Sequence, residues 1–241
     1  MAMRLFIIRH ADPDYANDTI TPAGHREAAA LARRFTSVGL DRIFCSPLGR
    51  ARATMQYTAD LLGITPVIEN WTAELSWRIT TGATPHVTWN IDAHLLRTLP
   101  VPGSDHGSQD FPEISRLGET ACEPPQPHAY QALCAASDAF LARLGFERNG
   151  HAYRVTRPSD ERVAVFCHGG FGLTWLSHLL HIPLAAAWGS FFLWPSSVTT
   201  ILMDERVPGL ATPRCVGLAD LSHLYAEGLD PSPAGIVANA V

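Results

Sequence analysis

The 241-residue sequence contains no lysine: all 18 of its basic residues are arginine. A chain without an ε-amine forms no Schiff base, carries no Walker-type phosphate loop with its obligatory lysine, and has no lysine general base. Any anion it binds must be held by guanidinium forks, imidazoles or backbone amides. Positive charge is also scarce in sum. The arginines face 23 acidic residues, giving a net charge of −5, whereas bulk nucleic-acid or anionic-membrane binding needs a basic surplus. No nucleic-acid or membrane partner is therefore expected. Residues 1–10 offer only the short apolar run Leu5–Ile8 before Arg9-His10, too short for a secretory leader or a membrane span. The five cysteines (Cys45, Cys122, Cys134, Cys167 and Cys215) are odd in number and show no C-x-x-C spacing. They read as buried thiols in a reducing compartment, with the cytoplasm as the expected location.

What is present is enough for a sizeable core, at 46% hydrophobic and 17% charged residues. The length fits one α/β domain with an insertion. Leu5–Ile8 reads as a strand buried on both faces, as in parallel sheets. Thr21-Pro22 supplies an N-cap and a proline at the first helical position. Ala28, Leu31, Phe35 and Val38 follow at helical spacing, and Gly39 ends the element. Arg42–Cys45 is a second strand, a helix runs from about Pro47 to Leu62, and Pro66–Glu69 is a third short strand. Periodicity then lapses from Trp77 to about Pro127; residues 103–127 hold three glycines and four prolines among polar residues. It returns in a helix over 129–144, a strongly apolar strand Arg162–Cys167, a helix Phe171–Leu180 and a strand Ser197–Met203. Arg214–Leu218 reads as a short edge strand, and residues 228–241 as a mobile tail. The expectation is a doubly wound, mostly parallel sheet with helices on both faces, one domain over 1–241, and a cap inserted at 78–127.

In such sheets ligands bind beyond the carboxyl ends of the strands. The first strand ends in Arg9-His10. The second leads into Ser46-Pro47-Leu48-Gly49-Arg50, which puts Arg50 on the first turn of a helix. The third leads to Glu74, and the apolar strand Val163–Cys167 ends in His168-Gly169-Gly170. Two histidines, two arginines and one carboxylate thus converge on one rim, where packing alone does not call for them.

These segments resemble the histidine phosphatase superfamily, with its phosphoglycerate-mutase-like fold. Leu5-Phe6-Ile7-Ile8-Arg9-His10 is similar to its R-H-G signature, with Ala11 in place of the glycine. Thr21-Pro22-x-Gly24 resembles L-T-x-x-G, with Ile20 for leucine. Ser46-Pro47-Leu48-x-Arg50-Ala51-x-x-Thr54 resembles S-P-L-x-R-A-x-x-T-A, with Met55 for the last alanine. Val163–Gly170 resembles the strand that carries the second histidine. The resemblance implies a phosphomonoester hydrolase of the phosphatase branch that needs no cofactor and no metal. His10 would be the nucleophile, forming a phosphohistidine. Arg9 and Arg50 would clamp the phosphoryl oxygens. His168 would donate to the phosphoryl group, together with the Gly169 amide and the helix start behind it. Glu74 would protonate the leaving oxygen and then accept a proton from water, with Glu69 or an acid of the insertion such as Asp105 as substitutes. The expected partner is a small-molecule phosphomonoester, a phosphoprotein being the larger member of that class.

Other readings stand beside this one. A mutase of the same fold needs a basic patch for a second carboxylate, and the insertion offers only Arg78, Arg97 and Arg116. A non-catalytic phosphate-binding module would not require the nucleophile, and a metal-dependent hydrolase would be sensitive to chelator. His178 and His181 lie three apart near a helix end, as a metal pair or as dipole-favoured structural residues. Asp12 and Asp14 either bind a metal or order their loop. Trp77, Trp89 and His94 either line a pocket or form a small core. Gly170-Phe171-Gly172 has Trp175 where a dinucleotide loop needs its third glycine.

Overall fold

The computed structural model describes residues 2–81, 84–90, 92–94 and 129–236. Most of the expected insertion lies outside these residues, including Cys122, Arg97, Asp105 and Arg116. The chain runs as β1 (Arg4–Arg9), β2 (Pro13–Asp14), β3 (Thr19–Ile20), α1 (Pro22–Val38), β4 (Arg42–Cys45), α2 (Gly49–Leu62) and β5 (Val67–Ile68). A hairpin of β6 (Arg78–Thr81) and β7 (Thr84–Val87) follows, then α3 (Ala129–Arg143), β8 (Phe146–Asn149) and β9 (Ala152–Val155). The last elements are β10 (Arg162–Cys167), α4 (Gly169–Leu180), α5 (Leu184–Ser190), β11 (Val198–Val207), β12 (Leu210–Asp220) and α6 (Ser222–Ala226).

Eight strands form one sheet in the order β5-β4-β10-β1-β11-β12-β9-β8. The half from β5 to β1 is parallel; the other half joins β1 antiparallel through β11 and continues antiparallel. The expected α/β architecture is therefore present, with the site-bearing strands in the parallel half. The side-chain alternation of β1 explains why that half needs helices on both faces. Leu5 and Ile7 pack with Val163, Val165 and Trp175 on one side, under α3 and α4. Phe6 and Ile8 pack with Leu31, Phe35 and Phe166 on the other, under α1 and α2. Each fully buried side chain of this kind contributes about 1.5–3 kcal/mol.

The local start signal for α1 holds: Thr21 Oγ1 accepts from Gly24 N at 3.1 Å and donates to Asp12 Oδ2 at 2.5 Å. Two expectations change. The strand expected at 214–218 proves longer, being the middle of the eleven-residue β12; β9 pairs only with Leu210 and Ala211, so 214–218 itself lies on an edge, as expected. Pro213 hides the first residues of β12 from a propensity reading, whereas pairing with β11 on one side decides its length. The segment from Gly228, expected as a mobile tail, is seated against the body as far as residue 236. Ser232 Oγ donates to Asp12 Oδ1, and the Ala234 carbonyl accepts from Arg9 Nη2 at 3.1 Å.

Candidate active site

The sheet order sets β4, β10 and β1 side by side, so their carboxyl ends deliver Ser46, His168 and His10 to adjacent positions. The parallel ladder continues one step past the strands: His10 N donates to Cys167 O, and Ser46 N to Phe166 O, each at 2.9 Å. The two imidazoles stand 5.2 Å apart between ring centroids.

His10 is almost fully enclosed, at 1% exposure. Its Nδ1 lies 2.8 Å from the Ala11 carbonyl. A carbonyl only accepts, so in the neutral ring Nδ1 carries the proton and Nε2 keeps its lone pair. Burial, aided by the Arg9 charge, pushes the His10 pKa down to about 3. The ring is neutral at any physiological pH.

His168 is likewise held well below the ordinary imidazole value, by burial first and then by His10 and the two arginines. Ser46 Oγ sits 2.7 Å from its Nε2 and also accepts from Leu48 N at 3.3 Å. With its oxygen already accepting, the serine hydroxyl is free to give its own proton to Nε2. With the serine as donor, the His168 proton resides on Nδ1, a buried atom with no partner among the described residues. In that arrangement His168 can donate to a ligand through Nδ1.

Arg50 enters from the first turn of α2, with Nη1 on Asp18 Oδ1 at 2.7 Å. Asp18 also accepts from Gly49 N at 2.7 Å. Burial alone would raise the Asp18 carboxyl, but Gly49 and Arg50 outweigh it and hold the group below the usual carboxylate range. A Cβ at Gly49 would collide with the Asp18 carbonyl, so this approach needs glycine. Arg9 gives Nη1 to the Leu193 carbonyl at 2.6 Å and Nη2 to Ala234. The Nε atoms of both arginines are buried without a partner among the described residues, an open demand for an acceptor.

Glu74 reaches across to the start of α4. Its Oε1 accepts from Phe171 N at 2.8 Å and Leu75 N at 3.0 Å, and its Oε2 from Gly170 N at 3.2 Å. Burial raises its pKa, with these three amides pulling the other way. This corrects one expectation: the amides behind Gly169 are occupied by the oxygens of the Glu74 carboxyl group rather than open to a phosphoryl group. Glu69 is committed elsewhere, accepting from Arg143 Nη2 at 2.6 Å and Trp71 Nε1 at 2.9 Å.

Arg9, Arg50, Glu74 and Gly169 line a single cavity of about 240 Å³, joined by Tyr15, Trp89 and Phe192. His10 and His168 are not on its wall; they lie at 1% and 0% exposure. Tyr15, 62% exposed, stacks edge-on to His10 at 6.4 Å and against the Arg50 guanidinium at 5.5 Å. Ser46, Asp18 and Tyr15 are contributors that sequence reasoning did not assign. Ser46 had a readable signal, its place at a strand end; Asp18 and Tyr15 are loop residues with none.

The remaining candidates resolve simply. Asp14 orders its loop through Ala16 N, Asn17 N and Asn17 Nδ2, and Asp12 takes Thr21 and Ser232. His178 and His181 contact Arg148, and His178 also contacts Asp138 at 2.8 Å. Among the described residues no cluster of His, Cys, Asp and Glu is arranged to hold a metal ion. Trp77 is core, edge-on to Trp188 at 6.1 Å, while Trp89 faces the cavity.

The model of the histidine phosphatase superfamily (branch 1) matches residues 5–100 of the chain, which cover Arg9, His10, Arg50 and Glu74. The chain carries a histidine phosphatase superfamily segment. Over 83 residues it is 32% identical to a putative phosphoserine phosphatase 2 of Hydrogenobacter thermophilus; the match spans 31% of this chain and 41% of that protein. The fold extends the likeness over nearly the whole length. A phosphoserine phosphatase from Entamoeba histolytica, solved with 3-phosphoglyceric acid, superposes with a TM-score of 0.58 at 17% identity, covering 92% of this chain and 99% of that one. A mycobacterial glucosyl-3-phosphoglycerate phosphatase, solved with VO3, gives 0.58 at 17% identity, covering 90% and 98%. The likeness of fold therefore includes the parts that the sequence match leaves out. No helix among the described residues is long and apolar enough to cross a membrane.

Proposed function

We propose that the chain is a phosphomonoester hydrolase that works through a phosphohistidine on His10. The observation that carries this reading is the tautomer of His10: Nδ1 is spent on the Ala11 carbonyl, burial keeps the ring neutral, and Nε2 holds a free lone pair beside two arginines. Nε2 attacks phosphorus as the bond to the leaving oxygen breaks. Arg9 and Arg50 stabilise the equatorial oxygens, with His168 donating through Nδ1. Glu74, kept protonated more readily by its burial, gives its proton to the leaving oxygen. It then takes a proton from the water that attacks the phosphohistidine, releasing phosphate and restoring His10.

The relatives named as phosphatases of phosphoserine and of glucosyl-3-phosphoglycerate support hydrolysis of a small phosphomonoester by this chain. No metal and no organic cofactor enters this scheme. The chain is read as one domain, with residues 78–127 as a cap. The free thiols Cys45, Cys134, Cys167 and Cys215 suit a reducing compartment, and the cytoplasm is the proposed location.

The test is chemical. Brief reaction with a ³²P-labelled phosphomonoester should trap a phosphoprotein labile to acid and stable to base, and His10→Ala should abolish both label and turnover. An acid-stable adduct, or a folded His10→Ala protein that retains a tenth of the wild-type kcat, would remove His10 as nucleophile.

A further inference from the structure

We infer that the cavity above the arginines takes the alcohol part of the substrate on an apolar wall centred on Trp89, so that esters of apolar alcohols are preferred. The inference rests on the phosphomonoesterase reading and narrows it to a substrate class. Its first support is position. Glu74 and Trp89 meet at the same residue: Gly170 donates its N–H to Glu74 Oε2, and a Cβ on Gly170 would fall inside the Trp89 indole. The bare Cα lets the ring rest directly on the first turn of α4. The oxygen that receives the proton of Glu74 is the one bonded to the leaving alcohol, so that alcohol must extend along the side where Trp89 stands.

The second support is the character of the lining. Its charged side chains are Arg9, Arg50 and Glu74, all engaged by the phosphoryl transfer. Beyond them the described wall consists of Tyr15, Val87, Trp89, Leu173, Phe192 and Leu193, with Asn90 as its neutral polar side chain. Phe192 lies under the Arg9 guanidinium at 5.4 Å, which closes the wall on the phosphate side. A carboxylate carried on the alcohol would lose hydration here and meet no further cation among the described residues. An alkyl or aryl group would gain from burial against aromatic faces. The cavity, at about 240 Å³, is at the small end for ligand clefts and fits a compact alcohol.

The experiment compares n-hexyl phosphate, ethyl phosphate and O-phosphoserine, all alkyl esters, so leaving-group acidity does not dominate. Wild-type kcat/KM for the hexyl ester should exceed that for the ethyl ester by at least about tenfold, given the transfer free energy of the added methylenes. It should exceed that for phosphoserine by more. Trp89→Ala should collapse the hexyl-to-ethyl ratio. Gly170→Ala, whose added methyl displaces the indole, should do the same should the tryptophan variant fail to fold. Calorimetry with hexylphosphonate and ethylphosphonate reads the wall without turnover. Preference for hexylphosphonate with no hydrolysis of any ester would sink the phosphatase reading and leave the wall standing. Hydrolysis with equal ratios in wild type and variants, or phosphoserine matching the hexyl ester, would overturn the wall and leave the phosphatase reading intact.

Discussion

Replacing Glu74 by glutamine tests proton delivery, and the structure shows that the substitution is not silent elsewhere. The carboxylate accepts three amides through two oxygens: Phe171 N and Leu75 N on Oε1, and Gly170 N on Oε2. Glutamine has one acceptor oxygen. In the better orientation that oxygen keeps the two bonds of Oε1, and the side-chain NH2 is forced against the Gly170 N–H, donor to donor. A buried amide left without its acceptor costs about 1–3 kcal/mol, and the bond lost is the longest of the three, so about 1–2 kcal/mol is expected. For a chain of this size that is a fall in Tm of roughly 2–8 °C. The chemical effect separates from this loss by its dependence on the leaving group. An alkyl phosphate needs the proton, and its kcat should fall by about 10²- to 10⁴-fold. A nitrophenyl phosphate leaves as a stable phenolate and should lose less than about tenfold. The assay is kcat on ethyl and nitrophenyl phosphates at a temperature where the melt shows both proteins folded. Equal losses on the two esters would refute the acid role and leave Glu74 as a group that positions α4 and the phosphate site. Glu69 could not then substitute, tied as it is to Arg143 and Trp71.

Two further outcomes are expected. Ser46→Ala removes the hydroxyl that partners His168 Nε2 and should lower kcat about tenfold or more with little change in KM; an unchanged kcat would show that His168 needs no such partner. Glu27, 3% exposed, has its pKa raised by burial to about 7, above the unfolded value near 4.5. The folded state therefore holds the extra proton between those values, and stability should fall as pH rises from about 4.5 through 7, by roughly 2 kcal/mol. Denaturant melts at pH 5 and pH 8 should show the loss in wild type and not in Glu27→Gln, and a wild-type curve flat over that range would contradict it.

Much of the site was legible in the sequence because its chemistry sits at strand ends, and strand ends are marked locally. Leu5–Ile8 and Val163–Cys167 are apolar runs short enough to be strands buried on both faces, and the first polar residues after them are Arg9, His10 and His168. The N-cap at Thr21 and the proline after it are likewise set within a few residues. Tertiary structure decided which partners those groups meet. His168 Nε2 meets Ser46, 122 positions away, which the β4-β10 pairing brings alongside. The state of Glu74 depends on amides 96 and 97 positions away, at a helix start that local reasoning had reserved for phosphate. Arg9 is held by the Leu193 and Ala234 carbonyls, 184 and 225 positions away. The full length of β12 escaped notice for the same reason: Pro213 interrupts its propensity, and only the neighbouring β11 supplies the ladder that carries the strand past it. Sequence patterns report the free energy of a residue in its own segment, whereas protonation states, cavity walls and strand lengths depend on neighbours supplied by sheet order and register.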